Sequence, residues 1–252
     1  ALRDAASAAA DGSGVDFVLI VGDFARHEVD SLVAADGTAD PVEIAGSIFS
    51  YCVDTIRSNF PDVPIIPVIG NNDVVPDYYL DTLVGDGNIT GSIISNLATS
   101  GLGDALSAEE AATFAHGGYF SRVVGTDGSG PSPTSVLFLS LNTVLYSVRH
   151  EPDGGGDGNP NDGADGDGDD DPLGQFAWLK SQLARAAANR TWDHAPSGPP
   201  TEIVAVYIAG HIPPSVGSYR HTQLWRTRYL ERYSKILREY SGGEYAPDAF
   251  DG

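Results

Sequence analysis

Val15-Asp16-Phe17-Val18-Leu19-Ile20-Val21-Gly22-Asp23 is the stretch whose reading decides the fold. An apolar run of strand length ends in a glycine and then a carboxylate. The same order returns twice: Val63–Ile69 leads into Gly70-Asn71-Asn72-Asp73, and Ile203–Ala209 leads into Gly210-His211. A buried strand that ends in this way sets an oxygen or imidazole donor at the carboxyl edge of a sheet, where open α/β folds place their ligand sites. Asp, Asn and His are donors that a hard or borderline divalent cation accepts. Any one of these pairs also reads as a turn or a helix N-cap, so it is their repetition behind three strands that raises the functional reading.

Outward from these strands the pattern alternates. A helix is expected near Leu2–Ala10, and Val42–Phe60 carries apolar residues at helical spacing. Pro64 and Pro67 sit awkwardly in the second strand, since proline donates nothing to a ladder. The stretch from Val74 to Gly103 reads as irregular and part helical. Ser107 followed by Glu109 and Glu110 has the form of an N-cap with early acids. Strands are predicted over Tyr119–Val124 and Val136–Leu141, a helix over Leu173–Asn189 burying Phe176, Leu179, Leu183 and Ala187, and a last helix through Leu224–Tyr240. The alternation argues for an α/β fold, and 252 residues bury a sizeable core in one domain. The single cysteine, Cys52, excludes an internal disulfide framework and is expected as a small buried residue on the stripe Ala45, Ile48, Phe49, Cys52, Ile56, Phe60.

Fourteen basic residues stand against 35 acidic ones, a formal charge of −21. No basic stripe exists to displace phosphate counterions, which argues against nucleic acid as a partner. An anionic substrate then needs metal ions to neutralise it locally. Much of the acidity lies in Asp153–Asp171, a Gly/Asp tract with no apolar face, expected as a flexible surface insertion. An EF-hand loop begun at Asp165 fails, because Asp170 stands where Gly is required and Phe176 where Glu should be. No apolar run is long enough to cross a bilayer. Asn88-Ile89-Thr90 and Asn189-Arg190-Thr191 fit the glycosylation sequon, which would be used on a secretory route to a vacuole, a lysosome or the exterior.

Gly22-Asp23-Phe24-Ala25-Arg26-His27, Gly70-Asn71-Asn72-Asp73 and Gly210-His211-Ile212-Pro213-Pro214 occur in the order and approximate spacing of the calcineurin-like metallophosphoesterases. The chain most resembles the acid sphingomyelinase and endopolyphosphatase branch. Gly117-Gly118-Tyr119-Phe120 with Leu137–Asn142 is similar to the family's middle strand pair, and Gln175-Phe176-Ala177-Trp178-Leu179 to a helix start that precedes its penultimate motif.

The resemblance implies an αββα sandwich of mixed sheets flanked by helices, over residues 1–252 as one phosphoesterase domain incomplete at both ends. It also implies a hydrolase that cleaves phosphoester or phosphoanhydride bonds with a metal-activated water. In that family two divalent cations, drawn from Zn, Mn, Fe or Mg, clamp the phosphoryl oxygens. Carried over to this chain, Asp23, Asn71 and His211 would be metal ligands, with Asp23 shared between the metals. His27 would protonate the leaving group. Asn72 stands where most of the superfamily has His, and would hydrogen-bond the phosphate without transferring a proton. Asp73 would orient the loop or a ligand. Gly-Asn-Asn-Asp is typical of the endopolyphosphatases and moves the substrate expectation toward polyphosphate over sphingomyelin, with a nucleotide also open. The family's Asp-x-His and Gly-His-x-His motifs are not found between Ala1 and Gly252; they are expected upstream and downstream in a longer enzyme. The alternative is a binding protein on the same scaffold that holds a phosphorylated ligand without hydrolysis. A third reading makes the acidic tract a calcium-responsive module.

Overall fold

The computed structural model describes residues 15–34, 40–61, 63–78, 97, 102, 106–125, 134–150, 171–189, 191–192, 201–217 and 221–241. The predicted helix 2–10, the sequon at Asn88, Arg190 of the second sequon and all of the acidic tract except Asp171 lie outside these residues. The architecture is α/β, as expected. A parallel pair is formed by β1 (Val18–Ile20) and β2 (Ile65–Pro67). A four-stranded mixed sheet has the order β3 (Phe120–Gly125), β4 (Thr134–Leu141), β6 (Thr201–Gly210), β5 (Thr191–Trp192), with β4 and β6 parallel and the other pairs antiparallel. Helices α1 (Val29–Ala34), α2 (Pro41–Asn59), α3 (Ala108–Gly117), α4 (Gln175–Asn189) and α5 (Thr227–Tyr240) complete the described elements, and the assembly is compatible with the sandwich that the resemblance implies.

Local chemistry sets the helix ends. Asp40 caps α2 by accepting the Val42 amide at 2.9 Å, with Pro41 in the first turn where its missing N–H is not needed. Ser107 and Glu110 form a reciprocal capping box at α3, and Gly118 closes that helix at φ 74°. The predicted start of the fourth helix at Leu173 moves to Gln175, after a 3₁₀ turn over Pro172–Gly174. Asp171 accepts the amides of Phe176 and Ala177 at 2.6 and 2.9 Å, so the last acid of the tract secures the first turn. The final helix begins at Thr227 instead of Leu224, because the backbone of Leu224 and Arg226 is engaged with Ser215, Val148 and Tyr146.

Proline in β2 is accommodated by alternation. Val18 N donates to Pro64 O and Val68 N to Ile20 O, so even-numbered residues of β2 face β1 and Pro67 faces away, where no ladder amide is required. The carbonyls on that far side are taken by side chains of the larger sheet: Arg122 Nη1 donates to Ile65 O at 2.6 Å, and Ser140 Oγ to Pro67 O at 2.7 Å. The two sheets are therefore joined by side chains and packing where a ladder is absent. The strands are shorter than the apolar runs 15–21 and 63–69: among the described residues each has one ladder neighbour, and Gly22 turns the chain away at φ 80°. One core cluster spans both sheets and includes Phe49, Ile66, Phe114, Phe120, Phe138, Tyr146, Phe176 and Trp225. Cys52 departs from expectation: it is half-buried at the margin of a stripe whose buried members are Ala45, Phe49 and Val53.

Candidate metal centre

The loops after β1, β2 and β6 meet at the carboxyl ends of their strands. Their glycines permit the approach. A Cβ on Gly22 would stand 2.6 Å from Gly70 N and 2.9 Å from His211 Nδ1, and one on Gly70 would overlap the amide and carboxylate of Asp23. Asp23 itself sits at φ 57°, a conformation that L-residues other than Asn and Asp seldom adopt.

His211 is oriented by the backbone at the end of β1. Its Nδ1 lies 2.6 Å from Val21 O, which makes Nδ1–H the donor and directs Nε2 into the site. There Nε2 faces Asn71 Oδ1 at 3.0 Å and Asp23 Oδ1 at 3.3 Å. The Asn71 amide is turned by donating its Nδ2 to Asn72 Oδ1 at 2.5 Å, which leaves its oxygen toward His211. One imidazole nitrogen, one carboxylate oxygen and one amide oxygen thus converge, and all three are lone-pair donors. Three acceptors cannot satisfy one another, so the space among them calls for a proton or a metal cation. Burial opposes charge on His211, but the bonds to Asp23 and Val21 outweigh it and raise the imidazole above its ordinary 6.5. Asp23 is likewise disfavoured by burial, yet His211 and the Asn72 amide, which donates to Oδ1 at 3.1 Å, hold it below its ordinary 3.8. The same donor set is suited to a divalent cation. Among the described residues no three His, Cys, Asp or Glu side chains gather in one place; the cluster has two of these types and the Asn71 amide.

Asp73 does not face this convergence. It is 1% exposed, and its Oδ2 accepts the amides of Asp23 (2.9 Å) and Gly70 (2.8 Å) while its Oδ1 accepts that of Ala25 (3.0 Å). Burial, with the charge of Asp23 added, pushes its carboxyl above the ordinary 3.8 against the pull of those amides. Asn72, also buried, donates its backbone amide to Asp23 and accepts the Asn71 side-chain amide on its Oδ1. His27 stands apart from the three donors: its side chain is 66% exposed and its Nδ1 lies 2.7 Å from Asp77 Oδ2, though its charge is still felt at Asp23.

Sequence reasoning did not single out three residues that shape this centre. Thr143 Oγ1 accepts the Ile212 amide at 2.8 Å and Trp225 Nε1 donates to the Ile212 carbonyl at 2.8 Å, so both polar groups of the residue after His211 are clamped. Asp77 is the third. Trp225 and Thr143 carry no local pattern, and Asp77 is recognisable only once the loops after β1 and β2 are brought together.

Comparison with known proteins finds relatives at the family level. The chain is 29% identical over 231 residues to sphingomyelinase phosphodiesterase D of Dictyostelium discoideum, covering 90% of this chain and 40% of that protein. It is 30% identical over 210 residues to the endopolyphosphatase of Schizosaccharomyces pombe, covering 82% and 29%. The cyclic GMP-AMP phosphodiesterase of Homo sapiens is 24% identical over 231 residues, covering 91% and 41%. The chain thus spans less than half the length of these curated relatives. They bear the names of phosphodiesterases and of a polyphosphatase, and the likeness is to a metallophosphoesterase-like group. No protein-family model matches the chain. No described helix is long and apolar enough to cross a membrane.

Proposed function

We propose that this chain carries part of the centre of a metal-dependent phosphoester or phosphoanhydride hydrolase. The observation that carries the reading is the convergence of His211 Nε2, Asn71 Oδ1 and Asp23 Oδ1 at the ends of three strands. A divalent cation bound there would supply Lewis acidity toward a phosphoryl oxygen and a water acidic enough to attack at neutral pH. The residues present would hold one cation; a second, as the resemblance implies, needs further donors.

The chain's own groups do the rest. Val21 fixes the tautomer of His211, so Nε2 is the ligating atom without any rearrangement. Asp73 holds the backbone of Asp23 in the conformation that exposes its carboxylate. Asn72 offers its amide to a phosphate oxygen, and His27 delivers a proton to the departing oxygen. A phosphorylated substrate, small or polymeric, is disfavoured by the −21 charge of the chain unless a bound cation offsets it where the anion docks. Polyphosphate is the substrate favoured by Gly70-Asn71-Asn72-Asp73.

The test is hydrolysis of bis(p-nitrophenyl) phosphate and of polyphosphate by the full-length protein, with and without added Mn or Zn. Asp23→Ala and His211→Ala should each lower the metal-dependent rate by at least about 100-fold, the scale of several kcal/mol of lost charge stabilisation. Binding of phosphate with an affinity indifferent to chelator, and without turnover, would overturn the reading.

A further inference from the structure

We propose that Asp77 is a positioning residue for His27, an inference that rests on the hydrolase reading above. Asp77 Oδ2 lies 2.7 Å from His27 Nδ1, and both carboxylate oxygens lie 3.3 Å from the Glu28 amide. The carboxylate therefore grips two consecutive residues of the loop after β1 from the loop after β2. Glu28 stands at φ 57°, so the chain is turned at the point where Asp77 takes its amide.

An ordinary surface ion pair joins two floppy side chains and contributes little. This one differs on two counts. Asp77 is itself only 19% exposed on its side chain, while the imidazole it holds is 66% exposed. The less exposed partner is the anchor, and the more exposed one is the group presented to solvent and substrate. The backbone bond to Glu28 also locks the loop that carries the ring, so orientation is imposed from both ends of the residue.

The chemical consequence concerns which nitrogen moves the proton. With Nδ1–H held by Asp77, the proton given up is that on Nε2. As the phosphorus–oxygen bond to the leaving group breaks, its electron pair stays on the departing oxygen. The Nε2 proton passes to that oxygen, and the alcohol or shortened phosphate leaves protonated. The ring remains with its Nδ1 proton on Asp77 and regains the other from water. Asp73, four residues earlier, performs the parallel task for the metal-binding side by holding the amides of Asp23 and Ala25. Two aspartates of one loop thus set the two halves of the other: Asp73 the ligand, Asp77 the proton donor.

The experiment uses the full-length, metal-loaded protein with Asp77→Asn, Asp77→Glu, His27→Ala and the His27→Ala/Asp77→Asn pair. Two substrates are compared, bis(p-nitrophenyl) phosphate, whose leaving group needs no proton, and a phosphodiester with an alkyl alcohol as leaving group. Asp77→Asn is expected to lower kcat on the alkyl ester by at least about tenfold, part of the 10²–10⁴ that general acids supply, with KM unchanged. The p-nitrophenyl rate should stay within about twofold, Asp77→Glu should recover part of the loss, and the double variant should match His27→Ala. Nitrogen-15 spectra of His27 should show Nδ1–H bonded in the wild type and a changed signature in Asp77→Asn. Equal losses on both esters with a lowered melting temperature would make Asp77 a structural staple only, and unchanged alkyl-ester turnover would remove its role outright. If the wild type shows no metal-dependent cleavage of the p-nitrophenyl ester, the reaction itself is wrong and the positioning role falls with it. The nitrogen spectra separate that failure from a missing Asp77–His27 bond.

Discussion

The two sheets solve the same problem by different means. In the larger one β4 is buried along most of its length between β3 and β6, and all eight of its residues pair with β6, with one register shift between Ser135 and Val136. In the smaller one three residues of β1 pair with three of β2, and Phe17, Leu19 and Val21 remain 37–50% exposed. Two of the three candidate metal ligands nevertheless hang from the smaller sheet. What a ladder does for His211, side chains do for the loops that carry Asp23 and Asn71: Asp73 accepts three amides of the two loops, and Ser140 and Arg122 donate to the spare carbonyls of β2. The lesson is that a short, poorly laddered strand pair can hold ligand loops in place if buried carboxylates satisfy the loop amides.

That contrast can be broken from either side. Leu139→Ala, at a fully buried position of β4, should cost about 2–5 kcal/mol of global stability through the cavity it leaves. Metal affinity measured by calorimetry below the melting temperature should be little changed, since Leu139 sits within the β3–β4–β6 ladder, paired with Ser121 and Ile208. Asp73→Ala should cost about 3 kcal/mol, because three loop amides lose their acceptor, and should also abolish measurable metal binding. Retained metal affinity in Asp73→Ala would refute the idea that this carboxylate assembles the centre.

The next effect is read against pH. Arg122 grips Glu110 through Nε and Nη2 and caps Ile65 with Nη1. Burial works against the Glu110 charge, but Arg122 prevails and holds the carboxyl below its ordinary 4.5. A lowered carboxylate pKa contributes stability above 4.5 that is lost as pH falls through the folded value. Denaturation midpoints of Arg122→Ala should therefore lie below those of the wild type at neutral pH and approach them in acid. The smallest change is Ser140→Ala, which should cost about 1 kcal/mol and leave Pro67 O without its donor. Hydrogen exchange in β2 should rise more than in β4 or β6, and uniform loosening of both sheets would count against a side-chain bridge between them.

Much of this molecule is legible in one dimension. Periodicity and end signals locate α2, α3, β3, β4, β6 and α5 to within a few residues, because amphipathic spacing and caps are local properties. The unanticipated pieces are those that local chemistry does not specify. The two-residue β5 exists only through its pairing with β6, and the 3₁₀ turn at Thr143–Tyr146 presents Thr143 Oγ1 to the Ile212 amide, 69 residues on. Pro67 looked like an obstacle to a strand, and only its register against Ile20 shows that its missing amide faces away from the ladder.

By itself the sequence determined the alternation of strands and helices and named Asp23, Asn71 and His211 as donors at strand ends. It could do so because a strand, a glycine and a polar residue are adjacent along the chain. Only the tertiary structure decided that Asp73 turns inward to the loop amides, that Val21 sets the tautomer of His211, and that Asp77 meets His27. Except for Gly70 with Asp73, those bonds join residues 48 to 190 positions apart, and nothing in local propensity records them. They form because folding strips water from these groups, and each polar atom so buried must find its partner within the protein.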